Sequence, residues 1–100
     1  MAFILVNHKE VKNDVLSAKV WYKAKSLELE NRFSTEIKKT IASIGKNPFL
    51  YQVKYLSIRT AFTEIFPYGI HFHVNEKSEI ITIIGVFYTS ISPNNWKNRL

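Results

Sequence analysis

Near the midpoint of this chain the hydrophobic period switches from helical to strand-like, and that switch restricts the fold more than any single motif does. Val11, Val15, Ala18 and Tyr22 recur at helical spacing while Lys12, Asp14, Lys19, Lys23 and Lys25 fall between them. This predicts an amphipathic helix over about residues 9 to 26. A second stripe runs Leu29, Phe33, Ile37, Ile41, Ile44. Gly45 and Asn47-Pro48 are expected to end it, Gly45 as a left-handed cap and Pro48 because it disfavours helix in the residue before it. Only a few polar residues around Ser26 separate the stripes, so the two helices should form an antiparallel hairpin.

Beyond Pro48 the pattern reads as strands. Ser57 to Ile65 is rich in β-branched and aromatic residues, Tyr68 to Val74 alternates, and Ile80 to Tyr88 is apolar on both parities. Asn75-Glu76-Lys77-Ser78 joins the last two as a hairpin loop, and a short β-rich run, Ala2 to Asn7, precedes the first helix. The class is therefore α+β: an N-terminal strand and an antiparallel helical hairpin packed on an antiparallel sheet. Two-sided apolarity places Ile80 to Tyr88 centrally in that sheet. In the alternating strand Tyr68, Ile70, Phe72 and Val74 share one face, so His71 and His73 share the other and point away from the helices. Asn94 to Leu100 is expected as a short helical tail with Trp96 and Leu100 on one side.

One hundred residues supply material for one domain, residues 1–100. An apolar content of 46% with only 3 Gly and 3 Pro excludes a disordered linker. The absence of Cys removes disulfides, thiolate nucleophiles and Cys-based zinc sites. The longest apolar runs fall far short of the roughly 18 residues a membrane span needs, and the N-terminus lacks the positive region of a signal peptide. A cytoplasmic protein with no membrane contact is expected. Fourteen Lys and Arg against eight Asp and Glu give a net charge of +6, which favours acidic partners such as nucleic acid, ribosome or an acidic protein segment, the alternative being a lysine-rich solvated surface on an ordinary domain.

An ordered set of features carries a resemblance that covers nearly the whole chain. A strand is followed by a charged helix ending in Trp21-Tyr22, then Leu29 and Phe33 through Ile44, Asn47-Pro48, a strand with Arg59, the tripeptide Phe66-Pro67-Tyr68, two final strands and a Pro93-x-x-Trp96-x-x-Arg99 tail. This order resembles the RelE/ParE superfamily of toxins from bacterial type II toxin-antitoxin systems, on its ParE-like side. The resemblance implies a helical hairpin on a twisted antiparallel sheet and a cognate antitoxin that wraps the toxin, with operator DNA bound only through the antitoxin complex. No cofactor and no metal are expected. ParE-like members are associated with inhibition of DNA gyrase by binding, whereas RelE-like members are ribosome-dependent mRNA endonucleases. A non-toxic, decayed member is a third alternative.

The same resemblance singles out residues. Arg59 matches an arginine common to both branches, where a guanidinium grips phosphate or carboxylate in a fork; the structural alternative is a pair with Glu64 or Glu36. Lys54, just before that strand, is a second candidate cation or a solvated lysine. His71 and His73 at i, i+2 offer a base and an acid, or are strand histidines without chemistry; two His alone do not make a zinc site. Tyr88 stands where many relatives carry a histidine, and Ile91 replaces the usual cation in the stretch Thr89 to Pro93. A Tyr, with a reference pKa near ~10, is a poorer base at neutral pH than His. The catalytic candidates, should the chain cleave RNA, are thus Arg59, His71, His73 and Tyr88. Those for binding target or nucleic acid are Arg59, Lys54, Lys97 and Arg99, the last two on a tail expected to hold its charge loosely. Trp21, Tyr22 and Phe33 read as core packing rather than a base-stacking platform.

Overall fold

A computed structural model describes residues 3–90 and 97–99. The elements are β1 (Ile4–Asn7), α1 (Val11–Lys23), α2 (Leu27–Lys46), a 3-10 turn (Pro48–Leu50), β2 (Val53–Tyr55), β3 (Ile58–Phe62), β4 (Tyr68–Asn75), β5 (Ile80–Tyr88) and a second 3-10 turn (Lys97–Arg99). Ala2, Ile91, Ser92, Pro93, Trp96 and Leu100 lie outside the described residues, and with them most of the expected tail helix.

The two helices form where their stripes predict. The Ser26 hydroxyl accepts the Leu29 N–H at 3.0 Å and caps α2, whose first turn carries Glu28 and Glu30 against the positive end of the helix dipole. Asn47 and Pro48 end it. Gly45 is not the left-handed cap expected of it, since no glycine has positive φ. It lies inside α2, where a Cβ would come within 3.3 Å of the Leu5 side chain, so its smallness serves the approach of β1.

The hairpin covers one face of a five-stranded sheet ordered β1-β5-β4-β3-β2. Three neighbouring pairs are antiparallel, while β1 runs parallel to β5, from Ile4 opposite Ile80 to Asn7 opposite Ile83. The antiparallel part of the sheet is as expected, and the N-terminal strand joins it in parallel, because the intervening hairpin and three strands form a long crossover that returns the chain in the same direction. β2 is too short to register as a pattern, and the predicted strand Ser57 to Ile65 is trimmed to Ile58–Phe62. The Thr63 hydroxyl closes the following turn onto the carbonyls of Phe66 and Tyr68, at 2.5 and 3.2 Å, so the chain leaves the sheet there.

β5 is interior, as its apolarity predicts, yet β4 occupies the middle. The apolarity of β5 on both parities comes from a bulge. His71 faces Gly85 and Phe72 faces Ile83, which leaves Ile84 without a partner. An extra residue inverts the alternation, so odd-numbered Ile81 and Ile83 and even-numbered Val86 all reach the core beneath the helices. That core is dominated by Phe33, Phe72, Ile44, Ile70, Ile81 and Ile83. The rings of Tyr22, Phe33, Phe66 and Tyr68 pack between hairpin and sheet with centroids 4.8 to 6.3 Å apart. Trp21 corrects the core expectation: it is 60% exposed, with the Lys25 ammonium 4.6 Å from its ring centroid.

Candidate functional site

Strand register decides which side chains can meet. Residues directly opposite on neighbouring strands share a face, so Arg59, Phe72 and Ile83 form one row, and Tyr68 and Tyr88 another, on the side covered by the helices. Ile58, His73 and Thr82, then Thr60, His71 and Gly85, lie on the opposite, helix-free face. His71 and His73 therefore point away from the hairpin, and Arg59 and Tyr88 do not accompany them.

Each candidate has a definite setting. Arg59 pairs with neither Glu64 nor Glu36. Its Nη1 donates to the Tyr51 carbonyl at 2.6 Å and its guanidinium lies 5.1 Å from the Phe49 ring, so it ties the Pro48–Leu50 turn to the sheet. Glu36 instead accepts the Ile65 N–H at 2.8 Å. Lys54 sits 5.6 Å from the Phe62 ring at the sheet's β2 edge. Tyr88, half exposed, meets Tyr68 edge-on at 5.7 Å.

His71 is more enclosed than a half-exposed strand histidine. The hydroxyls of Tyr55 and Thr60 lie 3.2 and 3.3 Å from its Nδ1, and the Phe87 ring packs beside it at 5.3 Å. Burial lowers its pKa to about 4 and raises that of Tyr55 to about 12, so the pair is neutral near neutral pH. Gly85 admits this packing. A Cβ there would run into the Phe87 ring and crowd Arg99 Nη1.

Arg99 overturns the expectation of a loosely held tail charge. Its guanidinium donates twice to Asp14, at 2.6 and 2.9 Å, once to the Ile84 carbonyl at 3.3 Å, and stacks 4.8 Å from the Phe87 ring. The same carboxylate accepts the Val86 N–H at 3.1 Å. β1 ends opposite Ile83, so beyond it β5 would expose its edge; Asp14 and Arg99 take up the donor and acceptor left there. Asp14 and His8 escape sequence reasoning because a lone acid in a helix's first turn and a lone histidine after a strand carry no distinguishing pattern. Lys97 belongs to the turn that delivers Arg99.

Between α1 and this half of β5 runs a groove of about 530 Å³ lined by Trp21, Tyr22, Pro67, Tyr68, Val86 and Tyr88 among others. Among the described residues no three His, Cys, Asp or Glu converge as metal ligands, and no helix is long and apolar enough to cross a membrane.

No protein-family profile and no curated protein matches the chain. Solved structures do. The chromosomal ParDE toxin-antitoxin system of P. aeruginosa superposes with a TM-score of 0.77 at 14% identity, covering 89% of this chain and 98% of that one. A double-arginine variant of the E. coli toxin RelE in its free state gives 0.66 at 11% identity over 100% and 99% of the two chains. The RelBE2 toxin-antitoxin complex of Mycobacterium tuberculosis gives 0.59 at 6% identity over 88% and 99%. The fold of this chain is that of the RelE/ParE toxins.

Proposed function

We propose that this protein is the toxin of a type II toxin-antitoxin pair, of the ParE-like kind: a single cytoplasmic domain, residues 1–100, that disables a host target of the DNA gyrase type by binding it and is neutralised by a cognate antitoxin. One observation supports binding over RNA cleavage. A nucleolytic site needs base, acid and phosphate cation within hydrogen-bond reach of one linkage, and the four candidates divide between opposite faces of the sheet, Arg59 and Tyr88 against His71 and His73. Arg59 is also committed to the Tyr51 carbonyl. The antitoxin reading rests on the company the fold keeps, with ParDE and RelBE2 both solved as toxin-antitoxin assemblies. The net charge of +6 and the aromatic groove beside α1 suit an acidic, amphipathic segment.

Induction of the gene in cells, with mRNA at translating ribosomes and plasmid supercoiling read separately, tests the proposal. Loss of supercoiling with intact mRNA is expected, and His71→Ala with His73→Ala should leave toxicity in place. Prompt codon-linked cleavage abolished by the two histidine changes would replace this reading with that of a ribosome-dependent mRNA interferase. Cells that grow normally with abundant soluble protein would favour a fold kept without toxicity.

A further inference from the structure

The edges of the sheet are not treated alike. β2, the last strand on one side, is three residues long, carries Lys54 at its centre and breaks register between Val53 and Tyr55. Shortness, a charge and an irregularity keep an edge from pairing. On the other side, where β5 runs on past the end of β1, Asp14 and Arg99 take the Val86 N–H and the Ile84 carbonyl. β1 has no such guard. Ile4–Asn7 holds no charge and no proline, pairs with β5 in unbroken register, and lies outermost in the sheet.

The geometry of that strand suits a copy of itself. Ile4 and His8 donate their N–H groups toward β5, to the carbonyls of Glu79 and Ile83 at 2.9 and 2.8 Å. Strand alternation then turns the N–H and C=O groups of Leu5 and Asn7 outward. Side chains on both faces are exposed, Ile4 by 63%, Leu5 by 40% and Val6 by 44%. On the helix side Leu5 stands against Gly45, and beside it the Phe3 ring meets the partly exposed Phe49 ring edge-on at 6.0 Å. An apolar, unguarded edge is a template for another strand. The flanking charges choose its direction. Glu79 stands at the start of β1 and Lys9 just beyond its end, so an antiparallel copy brings unlike charges toward each other, whereas a parallel one sets like beside like. Within the strand itself there is no cation for an acidic segment to select.

We infer that two copies of this chain associate through β1, antiparallel about a dyad at Leu5, into one continuous sheet with both helical hairpins on the same side. At the dyad each Leu5 N–H donates to the Leu5 carbonyl of the other copy. Ile4 of one copy then lies opposite Val6 of the other on the helix-free side, while the two Leu5 side chains meet on the helix side. The contact is one short ladder and a few side chains, which makes a weak, concentration-dependent dimer rather than an obligate one. This inference is independent of the toxin reading, because it concerns the purified chain alone.

Sedimentation velocity of the full chain between about 1 μM and 1 mM tests it, in enough salt to screen the net charge. A reversible shift from monomer to dimer within that range is expected. Val6→Lys, which sets a lysine opposite Ile4 of the second copy, should weaken association by about tenfold or more. Leu5→Pro removes only an outward N–H, so it should also abolish the dimer while the thermal transition is kept. Val53→Lys, on the guarded β2 edge, should leave the dimer intact. Amide exchange locates the contact: protection of Leu5 and Asn7 should rise with protein concentration, and that of Val86, already held by Asp14, should not. A chain that stays monomeric throughout would overturn the assignment. So would association that continues past the dimer or is unchanged in Val6→Lys, and so would Leu5 and Asn7 amides that gain protection only when an antitoxin is added.

Discussion

Replacing Asp14 by Ala removes three hydrogen bonds with one side chain. The carboxylate accepts from Val86 N–H and twice from Arg99, and the two side chains are only 11% and 16% exposed. A stranded buried donor costs about 1–3 kcal/mol and a broken buried ion pair about 3–5. Residual solvent contact offsets part of this, so a loss of about 3 kcal/mol is expected, equivalent to a drop of roughly 12–24 °C in Tm for a domain of this size. The three substitutions at the pair should rank. Arg99→Met leaves Asp14 still holding Val86 and should cost about 1–2 kcal/mol. Asp14→Asn keeps one acceptor for the same amide and should fall between wild type and Asp14→Ala. The double change should cost less than the sum of its parts by at least about 1 kcal/mol, since the second deletion removes a charge already orphaned. Urea denaturation gives the energies. Amide exchange adds a local signature, because Val86 should exchange much faster in Asp14→Ala than in Arg99→Met. A cost for Asp14→Ala within about 0.5 kcal/mol, or an Arg99→Met cost equal to it with Val86 exchange unchanged, would refute the edge-clamp reasoning.

Three further outcomes are expected. Phe33 is fully buried among Tyr22, Phe66 and Tyr68, so Phe33→Ala should cost about 3–5 kcal/mol. His73→Ala, on the helix-free face, should stay within about 0.5 kcal/mol, both variants being read by urea denaturation. Burial holds His71 at a pKa of about 4 against an ordinary 6.5, so between these values the unfolded chain binds more protons and stability rises with pH. His71's contribution is complete above about pH 6.5 and is lost as pH falls toward 4, and a His71→Gln variant should show a flatter melting profile across that window than wild type. Leu56, 76% exposed at φ 47°, gains little from its side chain and suffers the left-handed backbone. Leu56→Gly should therefore leave stability unchanged or raise it by up to about 1 kcal/mol in urea denaturation.

Local period alone determined the helices and the face of β4. A stripe at i, i+3, i+4 needs no partner to be recognised, so the buried Phe33, Ile37 and Ile44 were legible at once. Strict alternation likewise put His71 and His73 opposite Ile70 and Phe72. Net charge and the lack of Cys bounded the partners and the chemistry for the same reason, being sums over residues rather than arrangements. The tertiary structure decided whatever depends on register. In β5 an apolar run on both parities looks the same whether two faces are buried or a bulge at Ile84 exchanges them, because the residue types are identical in the two cases. Arg59 falls on the helix side because of its position opposite Phe72, a pairing that no stretch around Arg59 encodes. Asp14 and Arg99 are 85 residues apart. Only the ending of β1 beside Ile83 brings them to the same exposed backbone edge, where an ordinary helix acid and an ordinary tail cation become the groups that close it.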